Sequence, residues 1–203
     1  MGPIALRRPS DEKLIGIWEE QSSLPITYKN AGMTRGGPHR GYRQHRDSVS
    51  LPTGSFKKAR DHLRAWGAQR GAGFGVYPER PVAQGMAVLV YGRLGPLYTS
   101  VCCRVIYIID DEDRWGFAYG TLPHHVERGE ESFVVSRDKD RNVTFTVESM
   151  SRPATLLARL GAPITRLIQA RVTKRYLQAL VSATSDDGAG GTPGSREPGS
   201  TPR

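Results

Sequence analysis

Residues 115–131 read Trp-Gly-Phe-Ala-Tyr-Gly-Thr-Leu-Pro-His-His-Val-Glu-Arg-Gly-Glu-Glu. In an extended chain Phe117, Tyr119 and Thr121 share one face, and Gly116, Ala118 and Gly120 share the other. Three small residues on one face let a backbone, a helix or a ligand approach closely. The spacing predicts a strand over Trp115–Leu122. A turn follows, in which His125, Glu127, Glu130 and Glu131 crowd around Gly129.

Outward from this segment the chain keeps a strand texture. Gly75–Tyr77, Met86–Arg93, Tyr98–Ile109, Glu131–Arg137 and Val143–Met150 read as further strands, most of them separated by Asp-, Gly- or Pro-containing turns. Short connections favour antiparallel pairing. Upstream, Tyr42–Leu51 suits a first strand, and Phe56, Ala59, Leu63 and Trp66 mark a helix over Ser55–Arg70 that Gly71-Ala72-Gly73 ends. Ser10, Asp11 and Glu12 open a short amphipathic helix ending near Ser23. Downstream of Pro153, Leu156, Leu160, Ile164, Leu167, Ile168, Val172, Tyr176 and Leu180 trace a broad apolar helical face to Ala183, with a break expected at Gly161 and Pro163. Strand, helix, strand run and long C-terminal helix form the helix-grip order. The fold class is therefore α+β: a curved antiparallel sheet of about six or seven strands packed on the last helix, with a cavity behind it. Residues 10–183 form the single domain, 1–9 a loose N-terminus, and 184–203, rich in Gly, Pro, Ser and Thr, a disordered tail.

The string Gly116–Glu131, the Ser151-Arg152-Pro153-Ala154 motif and the helix carrying Arg175-Tyr176 resemble the bacterial and plant family catalogued as domain of unknown function nineteen-ninety. Thr34-Arg35, Gly41-Tyr42, Phe56, Ala59, Leu63, Trp66 and Ala72-Gly73 fit the same pattern, so the resemblance covers about Tyr28–Leu180. The chain departs from that pattern at Ala31, at Gln69 where a His is usual, at Cys102 where a Pro is usual, and at His124 where a Gly is usual. The family's topology is similar to the START-like, pollen-allergen-like superfamily. That similarity implies a holder of apolar or lipid-like ligands, with cyclases and hydrolases as a minority.

Crowded carboxylates raise one another's pKa, and a nearby imidazole can share the proton. His125, Glu127 and Glu130 are thus weak acid–base candidates, against the plainer reading of a hydrogen-bonded hairpin turn facing water. As a ligand site, Phe117, Tyr119 and Leu167 would supply walls, with Thr121 on the same strand face and Tyr42 near the opening. His125, Glu127, Glu130 and Arg152 would form the polar end, with Arg152 coupled to Glu127 and Glu130. His125-x-Glu127 falls short of a zinc ligand set, so neither metal nor cofactor is expected. Cys102 and Cys103 are adjacent, which in a strand sends them to opposite faces and disfavours their bonding.

The longest apolar run, Val105–Ile109, is far below the ~20 residues of a membrane span. With no disulfide framework, a cytoplasmic protein is expected. A net charge of +9 attracts polyanions but also keeps proteins soluble. The reading is a domain binding a small apolar or amphipathic ligand. The alternatives are a hydrolase or cyclase on the same cavity, or a basic adaptor for nucleic acid or anionic membrane surface. Oligomeric state is open.

Overall fold

A computed structural model describes residues 4–154 and 162–185 of the protein, with the side chains of 162–166 excepted. The described residues form an eight-stranded antiparallel sheet, one strand more than expected. Its elements are β1 (Ile4–Ala5), α1 (Asp11–Gln21), β2 (Arg43–Leu51), α2 (Phe56–Arg64), α3 (Gly67–Gly71), β3 (Phe74–Tyr77), β4 (Ala87–Leu94), β5 (Leu97–Asp111), β6 (Arg114–Thr121), β7 (Glu127–Arg137), β8 (Val143–Pro153) and α4 (Ala162–Ser185). The order across the sheet is β2-β8-β7-β6-β5-β4-β3, with β1 added on β5. The expected loose N-terminus therefore supplies a strand: Ile4 and Ala5 pair with Thr99 and Tyr98. Gly161 and residues 186–203 lie outside the described residues. Pro163, the other residue of the expected break, falls in the first turn of α4, and Thr184 and Ser185, expected to open the tail, end that helix with Thr184 buried.

The helix expected over Ser55–Arg70 is two helices. Trp66 between them takes a left-handed φ of 62°, an uncommon conformation for a bulky residue. Its fully buried indole fixes it there, stacked edge-on to Phe117 at 5.1 Å and donating Nε1–H to the Arg80 carbonyl at 2.9 Å. Phe117 also stacks on Phe133 at 5.2 Å, and Phe133 meets Tyr176 of α4 at 5.2 Å. Aromatic pairs at these spacings contribute beyond their buried area. The inner sheet face thus meets α2 and α3 at one end and α4 along its length, the grip expected from the element order.

The outer face is covered by α1 and by the loop of residues 24–35. Ser10 caps α1 by accepting the Lys13 N–H, and Trp18 donates to the Ala87 carbonyl at 3.0 Å. The loop is held by Glu130, which is only 3% exposed. Its carboxylate accepts from the Tyr28 hydroxyl at 2.8 Å, the Gly32 N–H at 2.7 Å, the Thr34 N–H at 3.1 Å and the Thr34 hydroxyl. Gly120 makes room for this arrangement, since a Cβ there would stand 2.1 Å from the Tyr28 oxygen.

Glu130→Ala leaves the Tyr28 hydroxyl and the Gly32 and Thr34 N–H groups without this acceptor, the buried Tyr28 group alone costing roughly 1–3 kcal/mol before relaxation. Denaturant unfolding should show a loss of at least about 3 kcal/mol. A loss under ~1 kcal/mol would mean that the loop does not depend on this carboxylate.

Candidate functional site

β7 begins at Glu127, four residues earlier than the sequence reading placed it. The glutamates therefore sit in a strand, and the pleat sorts them. Glu131 lies opposite Tyr119 and Ser149, in phase with the inward Phe133 and Val135, while Glu130 pairs with Gly120 and Met150 on the outer face. Gly129 precedes them opposite Ser151, where a Cβ would lie 1.9 Å from the Met150 carbonyl oxygen.

Between the inner face and α4 is a cavity of about 180 Å³. On the β3–β5 side it is walled by Phe74, Val90, Leu94 and Val101; α4 closes it with Ile168, Val172 and Tyr176. On the β7–β8 side the lining turns polar, with Glu127, Glu131, Ser149 and Ser151, together with His125. Gln169 donates to the Ser149 hydroxyl at 3.0 Å, tying α4 to this polar side. Ligand pockets for drug-sized molecules start near ~300 Å³, so the space suits a compact ligand.

Glu131 is the chemical centre. The Tyr119 hydroxyl donates to it at 2.8 Å. It is half-buried and lines the cavity. Burial raises its pKa to about 7, with Tyr119 pulling down and Glu127 pushing up. Burial, and then the Glu131 charge, hold the Tyr119 and Tyr176 phenols well above the usual range. Glu127 is raised as well, mainly by burial, while Ser151 and Arg43 pull it down. Burial lowers His125 to about 4. Its Nδ1 accepts the Glu127 N–H at 3.0 Å, a bond that requires that nitrogen to be unprotonated. His125 is thus a neutral wall group.

Of the expected site residues, the structure brings Tyr119, Thr121, His125 and Glu127 together on the cavity. Phe117 is instead sealed in the aromatic core, fully buried. Leu167 is 54% exposed, because Ile168, Gln169 and Val172 take the inward face of α4. The Glu130 carboxylate binds the outer loop, and Arg152 stacks over Tyr42 at 4.9 Å on that same outer face. The expected group of Glu127, Glu130 and Arg152 is therefore split by the sheet. Glu131, Ser149 and Gln169 were missed as site residues. Counting back by twos from Phe133 would have found Glu131. Cys103 faces the cavity and Cys102 the α1 side, so they point apart as expected. Burial raises both thiols, Cys102 to about 12, which makes them poor nucleophiles. Among the described residues no three His, Cys, Asp or Glu side chains approach as a metal set. Among them, too, no helix is long and apolar enough to cross a membrane.

Comparison with known proteins gives a family. The model described as "Domain of unknown function (DUF1990)" matches residues 27–179. A UPF0548 protein of Deinococcus radiodurans is 39% identical over 103 residues, 47% of this chain and 52% of that protein. One from Dictyostelium discoideum is 32% identical over 105 residues, 46% and 49% of the two chains. The chain thus spans about half the length of these curated relatives. Among solved structures, a hypothetical protein from Helicobacter pylori superposes with a TM-score of 0.60 at 12% identity, covering 79% of this chain and 96% of its own. A START superfamily protein from Mycobacterium smegmatis gives 0.50 at 11%, covering 71% and 97%. The di-domain ARO/CYC BexL of the BE-7585A biosynthetic pathway gives 0.53 at 13%, covering 71% and 50%. The shared feature is the helix-grip fold.

The two titrations have opposite signs. Glu131 holds its proton more tightly when folded, so its contribution to stability is lost as pH rises from about 4.5 to 7. His125 is depressed, so its contribution is present above 6.5 and lost as pH falls toward 4. Glu131→Gln removes the larger of two falling contributions, the raised Glu127 supplying the smaller. Its urea-unfolding free energy should fall less with pH than that of wild type above about 4.5, and exceed wild type at pH 8 by up to about 3 kcal/mol. A variant less stable than wild type at pH 8 would show that Glu131 is comfortably ionised.

Proposed function

The chain belongs to this DUF1990 family of unknown function, and from that premise we propose that it binds a compact apolar or amphipathic ligand in the cavity beneath α4. Glu131 and Tyr119 are the polar anchor of this reading. One observation carries it: a half-buried carboxyl hydrogen-bonded to a phenol borders unfilled space with apolar walls. A perturbed titratable group in a concave apolar site is the usual mark of a ligand site. The START superfamily neighbour supports it by fold likeness alone.

A second reading, acid–base chemistry on the bound ligand, rests on the Glu131 pKa near 7, where a carboxyl serves as both acid and base at neutral pH. The ARO/CYC neighbour supports it by fold likeness alone.

Native mass spectrometry of freshly purified protein should find a small molecule retained by wild type. Val172→Trp, which fills the cavity from α4, should lose it, and should weaken binding of an apolar fluorescent dye by about tenfold or more. Dye binding unchanged in Val172→Trp, together with no retained mass in wild type, would remove the cavity as a ligand site.

A further inference from the structure

The outer face of the β7–β8 pair carries charges that the cavity does not use. Arg128 and Arg152 stand directly opposite each other across the two strands, both exposed. Like charges in directly opposed cross-strand positions repel. The Arg152 guanidinium lies over the Tyr42 ring at 4.9 Å. Stacking occupies the face of the guanidinium and leaves its N–H edges for a ligand. Lys29 stands on the same groove, an open hollow of about 450 Å³ that Tyr28, Asn30 and Tyr42 also border.

No carboxylate lines this groove among the described residues. Two lie on the same face of the strands, and both are taken. Glu130, two residues from Arg128, is saturated by Tyr28, Gly32 and Thr34 beneath the loop. Glu148 accepts from Gln44 at 2.7 Å and Arg46 at 3.2 Å. The loop that Glu130 pins is the one carrying Lys29, so the three cations are presented by fixed backbone.

We propose that this groove is a binding site for a small molecule carrying a phosphate monoester, with the phosphate between Arg128 and Arg152 and Lys29 at its rim. Two guanidinium groups bordering one hollow suit a tetrahedral oxyanion with several acceptor oxygens. The dianion also relieves the Arg128–Arg152 repulsion, whereas a single carboxylate would leave two of the three cations uncompensated. The site is separate from the cavity because its side chains stand on the opposite face of β7.

Thermal unfolding in chloride buffer, with inorganic phosphate added at constant ionic strength, tests it. Wild type should show a saturable rise in Tm with phosphate, as binding to the folded state requires. Arg128→Gln and Arg152→Gln should each weaken the apparent phosphate affinity by about tenfold, the worth of one charge-assisted hydrogen bond. Both side chains are exposed, and in chloride alone Arg128→Gln should melt no lower than wild type because the repulsion is gone. An equal phosphate response in wild type and the Arg128→Gln/Arg152→Gln double variant would overturn the proposal. So would the absence of any saturable response to phosphate, including the case in which an RNA oligonucleotide or phosphatidylserine vesicles bind instead.

Discussion

The period-two pleat of β7 is the constraint on which the rest of the molecule depends. From Glu127 to Glu131 it sends Glu127, Gly129 and Glu131 inward and Arg128 and Glu130 outward. Adjacent carboxyls thereby take opposite tasks. Glu130 is fully hydrogen-bonded and anchors the loop that covers the outer face. Glu131 has one phenol for a partner and unfilled space beside it. A slip of one residue would exchange them, putting the anchor into the cavity and stranding the loop's donors.

The inner face is graded along the sheet. Where Phe117 and Phe133 meet Trp66 and Tyr176 the aromatic rings fill the space between sheet and helices. Toward Ser149, Ser151 and Glu127 the side chains shorten and turn polar, and α4 spans the remaining gap without filling it. The cavity is thus a local failure of close packing at the one place where hydrogen-bonding groups line the wall. In a well-packed interior such a gap forfeits dispersion contacts, and it persists here beside a fixed polar cluster.

Periodicity made the fold legible. The alternation of Phe117, Tyr119 and Thr121, the helical spacing of Phe56, Ala59 and Leu63, and the inward Ile168, Val172, Tyr176 and Leu180 of the last helix reappear in the structure, while Leu167 of that expected face is exposed. Where it misled, the cause was local. Glu-Arg-Gly-Glu-Glu has the polar composition of a turn, yet it is strand, because Gly129 allows the Met150 backbone to pack against it and Thr121 accepts its N–H at 3.1 Å. The Trp66 break was hidden because a left-handed Trp is paid for by tertiary burial, which no local propensity reports. Arg152 was assigned to the cavity from topology alone. Its pairing register with Arg128, a two-strand property, decides its face.

A chain with a net charge of +9 nonetheless encloses carboxyls without a cation lining their cavity among the described residues. The two facts are compatible because pleat and helix face segregate charge by direction. Arg128, Arg152, Arg171 and Lys174 all point to solvent, where water and salt screen them within roughly a Debye length of ~8 Å. Arg43 is the cation whose field reaches Glu127, and it lowers that group less than burial raises it. Inside, desolvation therefore outweighs the global field, and the proton on Glu131 is governed by its immediate wall. The cavity wall is thus set by that local balance rather than by the basic exterior, and the overall charge of the chain does not foretell it. The polarity of the β7–β8 wall is fixed instead by the pleat, residue by residue.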